Sequence, residues 1–326
     1  QHTVPPSSPQ PRHKLVEAYG RELVRQAERT PNLVALDADL IKDTGLTEFA
    51  DRFPERLVEC GIAEQDMVSQ AGGLALKGML PIAHSFACFL SARPNEQIYT
   101  NATERSKVIY VATLAGLLPA TPGHSHQSVR DISSLGAMPN LVLAAPATEP
   151  EVAAILDWAV QVSPESTYLR LSSIPCILPF EADPRPAVAL GRGTVLRQGK
   201  EAVIFAYGPV MTSQAVLASD ALASEGIALK VVSQPWLNRV DAAWVSEVVA
   251  GASFLFCVDD QYVRGGQGDL LIAALAEAGW PAGLRVKKLG LHDVPACGQN
   301  DEILRHHGLD AAGMAEVVRG SLRPGR

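Results

Sequence analysis

The sequence is poor in charged residues and lacks long hydrophobic runs. Only 19% of its 326 residues are charged, and the formal net charge is -7. Lysine and arginine are scattered along the chain, whereas binding to a phosphate backbone requires a basic face. No apolar run approaches the roughly 20 residues that a membrane-spanning helix needs. We therefore expect neither nucleic-acid binding nor membrane insertion.

Cysteine is also scarce and unpaired. The five cysteines are an odd number and form no CxxC pair, which argues against a structural zinc site and a disulfide framework. The first 11 residues are rich in proline and serine, with no apolar run behind a basic end. They predict a flexible tail rather than a signal peptide. The lack of a disulfide pattern favours a reducing compartment, the cytoplasm.

What the chain does contain is typical of a compact two-domain protein. Hydrophobic residues make up 47% of it, and its length exceeds the roughly 100–200 residues of one domain. Short apolar runs alternate with amphipathic helices, which predicts α/β domains, each a mostly parallel sheet with helices on both faces. The proline-rich residues 179–190 predict a linker between a domain at 12–178 and a second at 191–326.

The most informative segment is residues 59–67, which opens a predicted helix at 63–77. Helical spacing turns Glu64 toward the apolar face that Met67 and Val68 begin. One interpretation is that Glu64 only stabilises the helix N-terminus. The other is that a carboxyl group against an apolar face needs a raised pKa or a buried partner, for example a cofactor ring nitrogen.

Two further groups of residues are candidates for chemistry. His124 and His126 lie in a loop after a predicted strand at 107–114, where ligands of parallel sheets bind. No second His/Cys pair or carboxylate completes a metal site there, so a hydrogen-bonding or proton-carrying imidazole is favoured. Phe86 and Phe89 stand one helical turn apart in a predicted helix at 86–102, a spacing that by itself is typical of core residues.

Together these motifs resemble the transketolase family. Residues 53–67 with the following glycines resemble the pyrimidine-domain signature of transketolases and deoxyxylulose-phosphate synthases. Further segments resemble the family in the expected order, and nearly the whole chain after the tail is covered. They are residues 85–89, 93–98, 123–127, 131–134 and 139–146, and in the second half 259–260, 265–266, 289–290 and 307–310.

The resemblance implies a role for each candidate residue. Glu64 would be the glutamate that activates thiamine diphosphate by hydrogen bonding to its aminopyrimidine ring. His126 would face the reacting carbon and the substrate hydroxyls. The remaining assignments are cofactor contacts for Asp39, Phe86 and Phe89, a substrate contact for His124, and a sugar-phosphate contact for Arg170.

The family's diphosphate-binding motif is missing. Family members hold magnesium and the diphosphate with a Gly-Asp-Gly sequence, and this chain has none. A diphosphate needs a metal or several cationic donors. We therefore expect Mg²⁺ to be held mainly by a separate diphosphate-binding subunit, in a heterotetramer with two copies of each chain. This chain would be the β-type subunit of a split transketolase, moving a two-carbon ketol unit from a ketose to an aldehyde through a thiamine adduct.

Departures from the family pattern keep other functions open. Leu114 stands where a substrate-binding histidine is common, and Asp43 stands where a phosphate-binding serine is common and would repel a phosphate. The alternatives are the β subunit of a 2-oxoacid dehydrogenase and a non-catalytic assembly partner. The presence of both Glu64 and His126 argues against the latter.

Overall fold

The computed structural model describes residues 12–323 and contains two sheets flanked by helices. The predicted tail, residues 1–11, lies outside the described residues. Residues 179–190, between the two sheets, contain neither helix nor strand. None of the described helices is long and apolar enough to cross a membrane.

The first sheet has six strands, all parallel to their neighbours, in the order β2-β1-β3-β4-β6-β5. All of these strands except β2 are buried throughout, because a parallel sheet covered on both faces buries every side chain. The strands are β1 Leu33–Asp37, β2 Leu57–Glu59, β3 Leu80–Phe86, β4 Ile109–Thr113, β5 Leu141–Ala144 and β6 Ser166–Arg170.

Seven α-helices lie in the described part of this half, and they cover both faces of the sheet. In β1, Leu33 and Ala35 pack with one group of helices, and Val34 and Leu36 pack with the other, because side chains alternate along a strand. The first group is α1 Leu15–Arg29, α2 Thr47–Arg52 and α7 Glu149–Gln161. The second is α3 Glu64–Leu76, α4 Ala87–Ala92, α5 Asn95–Thr103 and α6 Asp131–Leu135.

One sequence prediction in this half is wrong. A single helix was expected at 86–102, but β3 continues through Phe86 and two helices follow it. The break falls at Pro94, which has no backbone N–H with which to continue α4. The break matters because Arg93, the last residue before it, contacts Glu64.

The second half holds a five-stranded sheet in the order β11-β10-β8-β9-β7. Its β7 strand runs antiparallel to β9, while the other pairs are parallel, so the predicted mostly parallel α/β architecture is confirmed for both halves. The strands are β7 Thr194–Arg197, β8 Ala202–Ala206, β9 Leu229–Ser233, β10 Phe254–Tyr262 and β11 Arg285–Leu291. The helices are α8 Pro209–Ser224, α9 Ala242–Val249, α10 Gln267–Ala278, α11 Asn300–His306 and α12 Ala311–Leu322.

The two halves pack tightly against each other. Trp236 of the second half is buried in the core of the first, and Leu237 N donates a hydrogen bond to Leu143 O at 2.9 Å. In the other direction, Leu117 and Val129 of the first half are buried in the core of the second. The loop from 115 to 129, which contains His126, belongs to the first half and therefore packs against the second.

Candidate active site

The candidate residues gather at the carboxyl edge of the first sheet. Phe86 and Arg170 are the last residues of β3 and β6, and Glu64 begins the helix that follows β2. Strands β3, β4 and β6 are successive neighbours, so their carboxyl ends lie side by side. This edge is where parallel α/β sheets bind ligands.

Glu64 is buried and paired with a cation. Its side chain is only 3% exposed, and its Oε1 accepts a hydrogen bond from Ser85 Oγ at 3.1 Å. Nη1 of Arg93 lies 2.8 and 2.9 Å from the two carboxylate oxygens. A buried carboxylate needs a partner of this kind. One side remains open, where a cavity of about 580 Å³ is lined by Glu64, Arg93 and the residues 62, 63, 65 and 66.

An aromatic cluster stands next to this ion pair. The rings of Phe86 and Phe89 are 5.8 Å apart, and the His126 ring lies 5.3 Å from Phe89 and 6.1 Å from Phe86. The Arg93 guanidinium lies over the Phe89 ring, 3.9 Å from its centroid. A continuous chain of contacts thus joins Glu64 to His126. A planar ring that hydrogen bonds to Glu64 and packs on these phenylalanines fits this place chemically.

The two histidines of the loop differ in their surroundings. His126 is half-buried, with Nδ1 at 3.0 Å from Ser125 Oγ, whereas His124 is exposed. A second cavity of about 520 Å³ lies between the loop and α4. It is lined by His124 on the loop side and by Phe89 and Arg93 on the other. Among residues 12–323, no group of three or more His, Cys, Asp or Glu side chains is placed to hold a metal ion.

Asp39 lies at the same edge, two residues after the end of β1. It is exposed, has a φ of 65°, and donates a backbone hydrogen bond to Glu59 Oε1 at 3.0 Å. Nearby Asp37 is buried, and burial raises its pKa to about 6 although Leu40 N and Thr44 Oγ1 donate to it. Asp37 therefore shapes the loop that begins after β1.

Arg170 is committed to carboxylates. Its side chain is 2% exposed, Nε donates to Asp131 Oδ2 at 2.8 Å, and Nη1 donates to Asp260 Oδ2 at 2.9 Å. Nη2 donates to Ser128 O at 3.1 Å. Each of the three nitrogens donates to an acceptor within the chain, and the sugar-phosphate contact of Arg170 stays a prediction. The geometry favours a structural role at the junction of the two halves.

The carboxylates around Arg170 continue into the second half. Tyr207 donates to Asp259 at 2.9 Å, and burial raises the pKa of Asp259 to about 6. Gly116 is needed for the approach of Asp260, since a Cβ there would lie 2.0 Å from Asp260 Oδ2 and its φ is +88°. The network ties the start of the histidine-containing loop to β10.

Sequence reasoning missed the most important partners. Arg93, Ser85, Asp131 and Asp260 lie in segments that resemble the family, but nothing in their spacing indicates which side chains they contact. His84 was missed as well. Tyr19 Oη donates to its Nε2 at 2.6 Å, its Nδ1 donates to Leu36 O at 2.9 Å, and burial lowers its pKa to about 4.

Comparison with known proteins agrees with this architecture. The transketolase pyrimidine binding domain matches residues 13–174, and the transketolase C-terminal domain matches residues 191–314. A protein described as a transketolase C-terminal section, from Methanocaldococcus jannaschii, is 30% identical over 94% of this chain and 96% of its own length. The chain belongs to the transketolase family.

Other members of the transketolase family are longer. The 1-deoxy-D-xylulose-5-phosphate synthase of Syntrophotalea carbinolica is 33% identical over 94% of this chain but only 48% of the synthase. The chain thus spans about half the length of such relatives. Among solved structures, a split gene transketolase in an inactive β4 tetramer has 32% identity and a TM-score of 0.85, covering 96% of this chain and 100% of that one. Transketolase from Campylobacter jejuni shares the fold, with 18% identity, a TM-score of 0.76, and coverage of 97% of this chain and 48% of that one.

Proposed function

We propose that this transketolase-family chain is the pyrimidine-domain subunit of a two-subunit transketolase dependent on thiamine diphosphate. It would transfer a two-carbon ketol unit from a ketose or ketose phosphate to an aldehyde. The observation that carries the proposal is the contact chain from buried Glu64 through Arg93 and Phe89 to His126.

The residues present fit the aminopyrimidine half of this cofactor. Glu64 offers a buried acceptor at the rim of an open cavity, and Phe86 and Phe89 offer apolar ring faces beside it. When bound, thiamine diphosphate supplies a nucleophilic carbon that stabilises the ketol fragment during transfer. Glu64 would hold a proton shared with the pyrimidine ring, and a low-polarity surrounding strengthens such a hydrogen bond.

His126 is the proposed residue for the substrate. Its half-buried ring packs against Phe86 and Phe89, so an imidazole nitrogen can hydrogen bond to hydroxyl groups above the aromatic pair. The exposed His124 and Asp39 are proposed as secondary contacts, to substrate and cofactor respectively. At Arg170 a substrate phosphate would share the guanidinium with Asp131 and Asp260, which already accept hydrogen bonds from it.

In this proposal a partner holds the other half of the cofactor. The sequence contains no Gly-Asp-Gly motif, and a diphosphate needs Mg²⁺ or several cationic donors. The proposed partner is therefore a diphosphate-binding subunit that carries Mg²⁺, assembled as two copies of each chain. The similarity to a split gene transketolase over 100% of that chain supports a divided enzyme.

A second candidate is the activity of a 1-deoxy-D-xylulose-5-phosphate synthase, which the 33% identity to that enzyme favours. Product analysis separates the two candidates. Ketol transfer between a ketose and an aldehyde supports the transketolase. Carbon dioxide release from a 2-oxoacid without ketol transfer would contradict it and would favour a synthase or a 2-oxoacid dehydrogenase subunit.

The decisive experiment uses the complex co-purified from the native host. Glu64→Gln keeps the shape of the side chain but removes its negative charge, so turnover should fall about 10²-fold or more. Full turnover of this variant would show that the cofactor role of Glu64 is wrong and would favour an assembly partner. Calorimetry provides a second readout, because the isolated chain should not bind thiamine diphosphate with micromolar affinity.

A further inference from the structure

The histidine loop, residues 115–129, is held by the second half of the chain. It connects β4 to α6 and contains no helix and no strand beyond isolated bridges at its two ends. A loop of this length would ordinarily be mobile because its own backbone contacts are few. Here the two ends of the loop are buried, at residues 115–118 and 127–129, while residues 121–126 are exposed or half-buried. The buried ends pack against the C-terminal sheet and helices.

Apolar anchoring comes first. Leu117, Leu118, Ala120 and Val129 of the loop are at most 6% exposed and belong to the same core cluster as the C-terminal half. That cluster includes Met211 of α8, Leu291 of β11 and Ile303 of α11. The histidine loop is thus part of the hydrophobic core of the C-terminal half, although it belongs to the sequence of the first.

Polar anchors then fix the part of the loop that flanks His126. Asn300 Oδ1, at the start of α11, accepts a hydrogen bond from Ala120 N at 3.1 Å. Gln127 is 4% exposed, and its Nε2 donates to Leu117 O at 3.1 Å and to Ala296 O at 3.0 Å. Ala296 N in turn donates to His307 Nε2 at 3.1 Å. The backbone of Ala120 and the side chain of Gln127, which lie on either side of His126, are therefore bonded to residues 296–300.

These anchors set the position of the His126 imidazole. His126 N donates only within the loop, to Gly123 O at 3.0 Å, and its ring contacts Phe86 and Phe89 of the first half. Neither contact by itself sets the distance between the loop and the aromatic pair. A displacement of about 1 Å in a reacting group can cost up to about 10²-fold in rate.

We propose that Asn300 and Gln127 are positioning residues, through which the C-terminal half holds His126 over the aromatic pair. This inference rests on the proposed function for its effect on turnover. It assigns the C-terminal half a task in the reaction, because that half contributes the frame of the loop rather than a group that touches substrate.

The test compares Asn300→Ala with Asn300→Asp in the co-purified complex. Alanine removes the side-chain oxygen that accepts from Ala120 N, whereas aspartate keeps it. Aspartate is also compatible with α11, because a negative charge at the first position of a helix is favourable. We expect Asn300→Ala to lower kcat/KM about 10-fold and Asn300→Asp to stay near the wild-type value. The affinity for thiamine diphosphate should be unchanged, since Glu64 and Phe86 do not contact the loop anchors.

A His126→Ala background and amide hydrogen exchange test whether Asn300 acts through His126. In a His126→Ala complex, adding Asn300→Ala should not lower kcat/KM further if Asn300 acts through His126. In the free chain, Asn300→Ala should speed amide hydrogen exchange of residues 120–127 and leave β3 and β4 unchanged. Equal losses in both backgrounds, or unchanged exchange in the loop, would overturn the proposal. A wild-type complex without ketol transfer would contradict the proposed function instead, and the exchange measurement would still test the anchoring.

Discussion

The guanidinium of Arg93 contacts both Glu64 and Phe89. Its Nη1 lies within 2.9 Å of each Glu64 oxygen, and its central carbon lies 3.9 Å from the Phe89 ring centroid. The proposed aminopyrimidine would need the same two surfaces. Arg93 neutralises a carboxylate that is 3% exposed, and the proposed binding of a ring to Glu64 would require the guanidinium to move.

A double-mutant cycle should detect this pairing. Arg93→Met keeps an unbranched apolar stem in place of the arginine stem but leaves Glu64 without its cation. We therefore expect a loss of about 1–3 kcal/mol in the free energy of unfolding. In the Glu64→Gln background the same change should cost much less, and denaturant unfolding of the four chains measures the difference. Equal losses in both backgrounds would mean that Arg93 stabilises the chain through Phe89 alone.

The two histidines of the loop form a matched pair. His126→Asn should lower kcat/KM of the complex by about 10²-fold or more, because its ring stands at the aromatic cluster. His124→Asn should change kcat/KM by less than about 10-fold, because His124 is exposed. Steady-state kinetics with a ketose donor measures both. The reverse order would place the substrate in the cavity beside His124 instead.

The buried Arg170 network should be essential for stability. Arg170→Met leaves Asp131 and Asp260 without their cation, and breaking a buried pair in this way costs about 3–5 kcal/mol. Arg192→Met is the control, because the side chain of Arg192 is 52% exposed in its pair with Asp241 and should contribute less than about 1 kcal/mol. Thermal unfolding compares the two. A small effect of Arg170→Met would mean that water reaches the carboxylates.

His84 should make stability depend on pH. Burial lowers its pKa to about 4, so between about pH 6.5 and pH 4 the unfolded chain binds a proton that the folded chain does not. The contribution of this group is therefore lost as pH falls through that window, by up to about 3 kcal/mol. Asp37 and Asp259 have raised pKa values in the folded chain, so their contribution to the free energy of unfolding grows as pH falls.

For this reason the measurement is the difference between wild type and His84→Gln, which cancels the carboxylates. We expect the stability advantage of wild type to shrink as pH is lowered from 7 to 4. An advantage that stays constant would mean that His84 binds its proton equally well in the folded and the unfolded chain.

Much of the fold follows from local pattern. The strand at Ala202–Ala206 and the helix that begins at Glu64 are read from apolar periodicity, because a buried parallel strand and an amphipathic helix differ in length and spacing. The break at Pro94 was missed, although proline signals it, because the apolar pattern continues across it. The antiparallel direction of β7 could not be predicted either, because apolar periodicity carries no information on strand direction.

The candidate site divides in the same way. Glu64, Phe86, Phe89 and His126 were predicted from the sequence, and the structure brings them into one contact chain. Arg170 was predicted as a phosphate contact and lies buried between Asp131 and Asp260. Residue type indicates that an arginine binds an anion, but only its neighbours in space decide which anion.

The α/β class, the family resemblance and the candidate residues follow from the amino-acid sequence, because they depend on local spacing and on motifs. Tertiary structure alone decided that Arg93 pairs with Glu64 and that residues 296–300 hold the loop of His126. These contacts join residues 29 to 180 positions apart. No pattern along the chain encodes them, since they arise where two separately formed sheets and their helices pack together.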